Sequence, residues 1–314
     1  MAAVGTAKTV SAARRLMAKG RSARSVAVLT VAAALAVGLA VSARAGMSHS
    51  TFEAGTDPFP NVECPNPDSQ FQRVRSPVRE GEYAAKFSET AADVWLNGSV
   101  RCLVGNYNSG ETVGDNYFYR LSIFIPASGL SRNLIWELHH PYSLYSISPA
   151  CSVAPHALFT DGTQLLYRLF AGNCRGSSWA TQLVLPIPHL NPYPRNVWID
   201  FVFHIRFEES ASGLVEIYYR TGSKRWPVKP LLVRSKVPTM PYSDANGVHG
   251  VKLYTMLGLY PGYSDYSGSD SLYIDDVRRE TSLGAAERGG GTTSSGDRPV
   301  GGCRGSIRCG IGAD

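Results

Sequence analysis

Apolar residues recur at every second position along several stretches of the chain, and this spacing restricts the fold more than any other feature. Two clear examples run from Tyr119 to Ile125 and from Val197 to Phe207. A period of two places alternate side chains on opposite faces of a β-strand, so each stretch predicts a strand with one buried face. Clusters of Gly, Pro, Asn, Ser and Asp separate such runs at intervals of roughly ten to twenty residues. This arrangement is typical of an all-β sandwich or jelly roll.

The composition divides the chain into three parts. With 44% hydrophobic and 18% charged residues among 314, the chain is globular rather than disordered. Residues 46–283 contain the alternating runs and predict a single domain. Residues 284–314 are rich in Gly, Ser, Thr and Arg with few large apolar side chains. We therefore expect a flexible tail from Gly284 onward.

The first 45 residues are typical of an export signal. They contain seven basic and no acidic residues, an apolar run from Val26 to Val41, and a small-x-small site ending at Ala45. The run is shorter than the roughly 20 apolar residues of a membrane span, so an uncleaved anchor is the less favoured alternative. Translation starting at Met17 would leave a shorter signal. Either start predicts a secreted protein.

Export favours disulfide bonds, because thiols outside the cytoplasm tend to oxidise. The chain has six cysteines and no pair with zinc-ligand spacing. The sequence alone allows fifteen connectivities. Closeness in sequence favours Cys151 with Cys174 and Cys303 with Cys309, which would leave Cys64 and Cys102.

The order of nine segments carries a resemblance to a known family. From Phe52 onward the chain contains, in this order, FEAGTDPFP, SPVREGEYAAKF, GSVRCLVG, YFYRLSIFIP, WELHH, NVWIDFVFHIRF, GLVEIYYRTG, LYTMLGLYPG and LYIDDVRRETS. This set resembles the secreted bacterial polysaccharide lyases of the heparin-lyase and glucuronan-lyase type. The resemblance implies a concanavalin A-like β-jelly roll that binds an acidic polysaccharide across a concave sheet and cleaves it by β-elimination.

The resemblance implies that His139 and Tyr260 are the catalytic base and acid, in an order that the sequence does not fix. The family's Gln-x-His strand appears here with Glu137 before His139, and its Lys-x-Gly-x-Tyr strand appears with Met256 before Tyr260. Its Arg-x-Glu-Leu stretch keeps Arg101 and loses the Glu. Elimination from a uronic acid needs a base, an acid and a group that neutralises the carboxylate, so each departure bears on the mechanism.

Other polar and aromatic side chains are expected to contact the polysaccharide. Alternation places Lys252 and Tyr254 on the face that carries Met256, and it places Trp198 and His204 opposite the apolar set of their strand. Arg79 and Arg101 are candidate supports for the substrate. The expected substrate-binding residues are Arg79, Arg101, Glu137, Lys252, Tyr254, Trp198 and His204.

Glu137 is the departure with the clearest electrostatic consequence. A carboxylate at this position is expected to repel an anionic sugar and to raise the pKa of His139 by stabilising the imidazolium form. Lys252 lies four residues before Met256 and offers a compensating charge from about 13 Å away along the strand.

The remaining charged segments give weaker signals. Carboxylates suit Ca²⁺ in type, but without a defined loop spacing structural turns are favoured over a metal, and we expect no cofactor. Six bases between residues 220 and 236 suit either a polyanion or a solvated loop. No nucleic-acid motif is present, no membrane contact is expected after signal cleavage, and we expect a monomer. The carboxylates in question are Asp265, Asp270, Asp275 and Asp276.

Three functional hypotheses remain at this point: a lyase, a carbohydrate-binding relative that has lost turnover, and a structural surface protein. The retained His139 and Tyr260 favour the first, while Glu137 and Met256 favour the second. A position of His139 and Tyr260 in one cleft, within hydrogen-bond reach of a common sugar, separates the first two hypotheses from the third. If the two side chains lie on opposite sheets, the lyase hypothesis fails.

Overall fold

Two eight-stranded sheets pack face to face in the part of the chain described by the computed structural model. The described residues are 49–56, 58–93, 99–140, 153–175, 178–261 and 266–288. The strands are β1 (His49–Ser50), β2 (Asn61–Glu63), β3 (Phe71–Val74), β4 (Ala84–Thr90), β5 (Cys102–Glu111), β6 (Asn116–Phe124), β7 (Arg132–His139), β8 (His156–Asp161), β9 (Leu165–Arg175), β10 (Ser178–Pro186), β11 (Trp198–Arg206), β12 (Gly213–Thr221), β13 (Leu232–Val237), β14 (Pro241–Tyr242), β15 (Leu253–Tyr260) and β16 (Ser269–Glu280).

The chain crosses repeatedly between the two sheets. Sheet A has the order β13-β12-β11-β6-β16-β4-β3, with β1 also paired to β16. Sheet B has the order β10-β9-β8-β7-β15-β5-β2, with β14 paired in parallel to β9. The other pairings are antiparallel. This topology confirms the predicted all-β jelly-roll sandwich.

The core lies between the sheets and is built from the alternating apolar residues. On β11 the side chains of Ile199, Phe201 and Phe203 point inward and are fully buried. Sheet B contributes Trp136 from β7, whose ring stacks on Phe203 with centroids 4.8 Å apart. Stacked aromatic pairs add about 1 kcal/mol to the stabilisation from apolar burial. Because the core faces are apolar, polar residues of the same strands are directed to the two outer faces.

The C-terminal boundary of the folded region lies beyond the predicted one. A short helix, α2 (Leu283–Glu287), follows β16 and buries Ala286 against the outer face of sheet A. Arg120 donates a hydrogen bond to the Ala286 carbonyl at 3.0 Å, and Trp226 donates to the Glu287 carbonyl at 3.1 Å. These contacts order residues 284–288, so the start of the tail at Gly284 was wrong.

Two other helical turns complete the described fold: α1 (Pro67–Gln70), and a 3₁₀ turn (Asp244–Asn246). None of the helices in the described ranges is long and apolar enough to cross a lipid bilayer. The predicted signal peptide, residues 1–45, and the tail beyond residue 288 lie outside the described residues.

A disulfide bond joins Cys64 to Cys102, the two cysteines left over by the favoured local pairing. Both are buried at the edge of sheet B, directly after β2 and at the start of β5. Cys174 is also disulfide-bonded. The predicted partners Cys151, Cys303 and Cys309 lie outside the described residues.

A buried ion-pair network covers the middle of the outer face of sheet A. Asp200 on β11 accepts two hydrogen bonds from Arg79, at 2.8 and 2.6 Å, and one from Arg220 at 2.7 Å. The Ser122 hydroxyl donates to the same carboxylate at 2.9 Å. Burial alone would raise the pKa of Asp200, but the bonds and charges of the two arginines hold it below its usual value.

Replacing Asp200 with Asn is expected to destabilise the fold by about 3 kcal/mol at pH 7, because two guanidinium groups then share no carboxylate. Urea unfolding would measure the loss. Since the pKa of Asp200 is lower in the folded state, its contribution is present above its unfolded pKa and is lost as the pH falls through the folded value. The exposed Asp68→Asn is the control and should change stability by less than about 0.5 kcal/mol. An equal, small effect of both changes would contradict a stabilising role for the network.

Candidate functional site

The outer face of sheet B is polar and aromatic, in contrast to the buried network on sheet A. Strand pairing aligns Met256 of β15 with Glu137 of β7, and Tyr254 with His139. We call this surface the His139 face. Its members are Leu103, Glu137, His139, Arg168, Tyr254, Met256 and Tyr260, together with Arg101 and Tyr107, which contact Tyr260 and Tyr254.

His139 is held in a defined orientation at the end of β7. Its Nδ1–H donates to the His140 carbonyl at 2.6 Å, and the Tyr254 hydroxyl lies 3.2 Å from the same nitrogen. The rings of His139 and Tyr254 stack with centroids 5.4 Å apart. A proton on Nδ1 places the lone pair of the neutral imidazole on Nε2. This tautomer suits a general base.

The protonation state of His139 is also that of a base. Burial lowers its pKa, and the positive charges of Arg168 and Arg101 lower it further, against the opposing effects of the His140 carbonyl and Glu63. The expectation that Glu137 raises the pKa of His139 is therefore wrong. The physical reason is that desolvation of the ring outweighs the acidic charge that acts on it, which comes from Glu63.

Glu137 itself is almost fully buried in the middle of the face, with 3% of its surface exposed. Burial raises its pKa to about 7, although Arg168 and Arg101 lower it. Arg168 lies two strands away. Glu137 of β7, Ala157 of β8 and Arg168 of β9 are paired directly across the sheet, and we call such a line of paired residues a row. Strand spacing puts the two Cα atoms about 10 Å apart. Arg168 and Arg101, rather than the exposed Lys252, are the cations that act on this carboxyl group.

The edge of the face near β5 carries a second charged group. Arg101 forms an ion pair with Glu63 of β2 at 3.0 Å, and its guanidinium lies 5.6 Å from the centre of the Tyr260 ring. The Tyr107 hydroxyl donates a hydrogen bond to Glu63. These contacts place a cation beside the predicted catalytic tyrosine.

His139 and Tyr260 lie on the same sheet and belong to the same face. Tyr260 aligns with Leu134 of β7, five residues from His139. At about 3.3 Å per residue their Cα atoms lie roughly 16 Å apart along a straight strand. A base and an acid act on neighbouring atoms of one sugar, so both side chains would have to extend along the strands toward each other to share it. The two residues lie on one sheet and not on opposite sheets, and their catalytic roles stay a prediction.

Three of the predicted substrate-binding residues lie on the outer face of sheet A, across the core from His139. Arg79 is bound to Asp200, and Trp198 packs on Phe124 with ring centroids 5.6 Å apart. His204 is held between Glu216 at 2.7 Å and Asn116 at 2.8 Å. The expectation that these three residues contact the same sugar as His139 is therefore corrected. Alternation correctly placed Trp198 and His204 on the side of their strand away from the core. It does not determine which of the two sheets a strand joins.

The carboxylates considered for Ca²⁺ are engaged with protein groups. Asp270 accepts from Ser131 at 2.9 Å, and Asp275 accepts from the backbone N–H of Arg79 at 2.8 Å. Asp276 is paired with Arg120 and Arg278. Asp265 lies outside the described residues.

One group of potential metal ligands does occur in the described chain. His49, Glu80 and Asp276 place one ligand atom each within 4.8 Å of one another. Arg278 contacts both carboxylates of this group, and Arg120 contacts Asp276. Because these guanidinium groups neutralise the acidic charge, the set fits an ion-pair network better than a divalent cation.

The basic stretch between residues 220 and 236 does not form one surface. Arg220 is committed to Asp200. The other bases are exposed on the loop before β13 and along β13, an edge strand of sheet A. Charged side chains on edge strands discourage unwanted strand pairing, which favours the solvated interpretation. These exposed bases are Lys224, Arg225, Lys229, Arg234 and Lys236.

Comparison with known families settles the relationship that the segment order indicated. The sequence profile of the family described as Polysaccharide lyase matches residues 52–278, which is most of the chain. The chain belongs to the polysaccharide lyase family. The match includes β2 to β15 and therefore every residue of the His139 face. Among curated proteins, none matches this family member.

Solved structures share the fold of this family member at low sequence identity. An endo-β-1,4-glucuronan lyase from the fungus Trichoderma reesei superposes with a TM-score of 0.57 at 15% identity, covering 74% of this chain and 94% of the other. A PL-14 alginate lyase from Aplysia kurodai gives 0.46 at 11% identity, covering 71% and 92%. An alginate lyase from Klebsiella pneumoniae gives 0.43 at 8% identity, covering 66% and 84%. The first likeness supports the jelly-roll fold.

Two charged residues were not predicted from the sequence: Arg168 on the His139 face and Glu63 beside it. Arg168 stands between Tyr167 and Leu169, both buried in the core, so alternation alone predicts that it points outward. Glu63 lies on a three-residue strand without such a pattern. The sequence around Arg168 and Glu63 does not predict which strands lie next to each other, because the pairing of strands is set by the tertiary fold. Their closeness to His139 was therefore not predictable.

Proposed function

We propose that this protein is an exported lyase that cleaves a uronate-containing polysaccharide by β-elimination on the His139 face. The observation that supports it is the neutral, Nδ1-protonated His139 on a surface that also carries Tyr260, Arg101 and Arg168. These residues supply a base, an acid and positive charge for the carboxylate, which are the functions that this elimination requires.

In the proposed reaction, Nε2 of His139 removes the C5 proton of the uronate. The electron pair of the C5–H bond forms the C4=C5 double bond, and the C4–O bond to the leaving sugar breaks. The Tyr260 hydroxyl donates a proton to the leaving glycosidic oxygen. Arg101 and Arg168 offset negative charge that develops on the carboxylate side of C5.

The proposed substrate class is an acidic polymer. Two cations on the His139 face attract a polyanion, and sugar faces can stack on Tyr107 and Tyr254, whose rings lie 4.8 Å apart. Known relatives by structure are described as lyases of glucuronan and alginate. We take β-1,4-glucuronan as the first candidate and the monomer as the working unit.

The proposed location is outside the cytoplasm. The basic and apolar N-terminal segment and the disulfide between Cys64 and Cys102 both support export.

The direct test is the ultraviolet absorbance of the unsaturated uronate product. The purified protein would be incubated with glucuronan, alginate, heparin and hyaluronan. Carboxymethyl cellulose is the control polymer, because it carries charge without a carboxylate on C5. We expect rising absorbance with at least one uronate polymer and none with the control. Absence of product from every uronate polymer, with the protein folded, would reject the lyase.

One observation favours a second candidate function, that of a carbohydrate-binding protein without turnover. Met256 stands where the resemblance places a lysine, next to Glu137 in the same row. Retention by one of the uronate polymers in an affinity gel, together with a flat absorbance trace, would identify this function.

A further inference from the structure

Glu137 is the acidic group at the centre of the His139 face, and the two side chains directly beside it on the neighbouring strands do not stabilise a negative charge. Its direct neighbours in the row are Met256 on β15 and Ala157 on β8. Neither side chain donates a hydrogen bond. A carboxylate that is 3% exposed loses most of its hydration without a donor beside it in the row.

The charged and titratable groups that face Glu137 come from several strands. Arg168 approaches from β9 across Ala157, while Arg101 and Glu63 form an ion pair at the β5 edge. His139 and the Tyr254 hydroxyl lie on the side toward the end of β7. Burial raises the pKa of Glu137 to about 7, Arg168 and Arg101 lower it, and Glu63 raises it. At neutral pH and below, Glu137 therefore carries a proton in much of the protein.

The position of Glu137 relative to His139 fits the geometry of a uronate. Residues i and i+2 of a strand lie about 6.6 Å apart on one face. In the substrate, the carboxylate carbon is bonded directly to the C5 atom that loses its proton. When His139 reaches the C5 proton, a side chain two residues away on the same face is at the right distance for the carboxylate.

We propose that Glu137 binds the uronate carboxylate as a neutral acid, donating its carboxyl proton in a hydrogen bond, so that substrate affinity falls when this group ionises. The inference rests on the proposed function, since it takes a carboxylated sugar as the ligand. The ionised form has acceptor oxygens only and repels the substrate anion. A glutamine side chain at position 137 would keep a hydrogen-bond donor and a similar shape, but it would not ionise.

The variant Glu137→Gln tests this role through the pH profile. We expect KM of the wild type for β-1,4-glucuronan to rise about tenfold per pH unit above about pH 7, and KM of Glu137→Gln to stay flat. The acid limb, set by the lowered pKa of His139, should remain in both proteins. The control Glu280→Gln, on sheet A, should keep the wild-type profile. A Glu137→Gln profile with the alkaline rise intact would overturn the proposal.

A binding measurement separates this proposal from the lyase assignment. Retardation of the wild type in affinity gels with glucuronan and with a neutral β-1,4-glucan would be compared from about pH 5 to about pH 9. Retardation by glucuronan that weakens with pH in the wild type, and not in Glu137→Gln, supports the neutral acid even without turnover. Wild-type affinity for glucuronan that is constant or increases with pH overturns it. Turnover with a flat KM profile rejects only the role of Glu137.

Discussion

Replacing His139 with alanine is expected to lower the rate of unsaturated-uronate formation by about a thousandfold while leaving the protein folded. General base catalysis contributes roughly 10²–10⁴-fold, and His139 supplies the lone pair on Nε2. The residue ends β7, and its ring is half-buried rather than part of the core. Its loss should therefore cost little stability. Product absorbance under saturating polymer measures the effect, and thermal unfolding checks the fold.

His204→Ala is the matched control for His139→Ala. His204 is also partly buried and hydrogen-bonded, but it lies on the outer face of sheet A with Glu216 and Asn116. We expect wild-type turnover from this variant. Equal losses in the two histidine variants would mean that His139 acts through stability and not as a base.

The tyrosines give a second comparison on the same face. Tyr260→Phe removes the proposed acid and is expected to lower turnover about a hundredfold or more. Tyr254→Phe keeps the ring that stacks on His139 and loses only the contact at 3.2 Å, so its effect should be about tenfold or less. The reverse order of these two effects would assign the acid to Tyr254.

Removing the disulfide between Cys64 and Cys102 is expected to destabilise the protein by about 4 kcal/mol. The cysteines are 38 residues apart, and closing a loop of that length restricts the unfolded chain. The closed loop includes β3 and β4, which belong to the opposite sheet. The variant Cys64→Ala/Cys102→Ala would be compared with the wild type by urea unfolding.

Chemical reduction of the wild type is not an equivalent experiment, because Cys174 is also disulfide-bonded and would be released as well. The double alanine variant isolates the one bond. A loss below about 1 kcal/mol would show that the unfolded chain is already restricted in this region, so that the bond adds little.

The fold was predictable because the alternation of apolar residues, which is visible within one segment, also specifies which face of the strand packs in the core. The run from Val197 to Phe207 specifies a strand with one apolar face, and the structure buries that face in the core. The boundary at residue 284 failed for the opposite reason. A segment rich in Gly, Ser, Thr and Arg predicts flexibility, but Arg120 of β6 and Trp226 of the loop after β12 donate hydrogen bonds to carbonyl groups at its start. Such contacts have no signature in the segment itself.

The candidate site was predictable only in part. The spacing of Glu137 and His139 correctly placed both on one face, and the resemblance added Tyr260 on a neighbouring strand. Trp198 and His204 satisfied the same alternation rule on the wrong sheet. The pKa of His139 was expected to rise and is lowered, since burial depends on what covers a residue and not on its sequence neighbours.

The position of the disulfide links the oxidation of the protein to its proposed substrate site. Glu63 directly precedes Cys64, and Arg101 directly precedes Cys102, so the bond lies beside the ion pair that holds Arg101 near Tyr260. Protein produced in a reducing cytoplasm lacks this tether. Affinities measured on such material and on exported material would then describe two different proteins, and the production route becomes a variable in any assay of this chain.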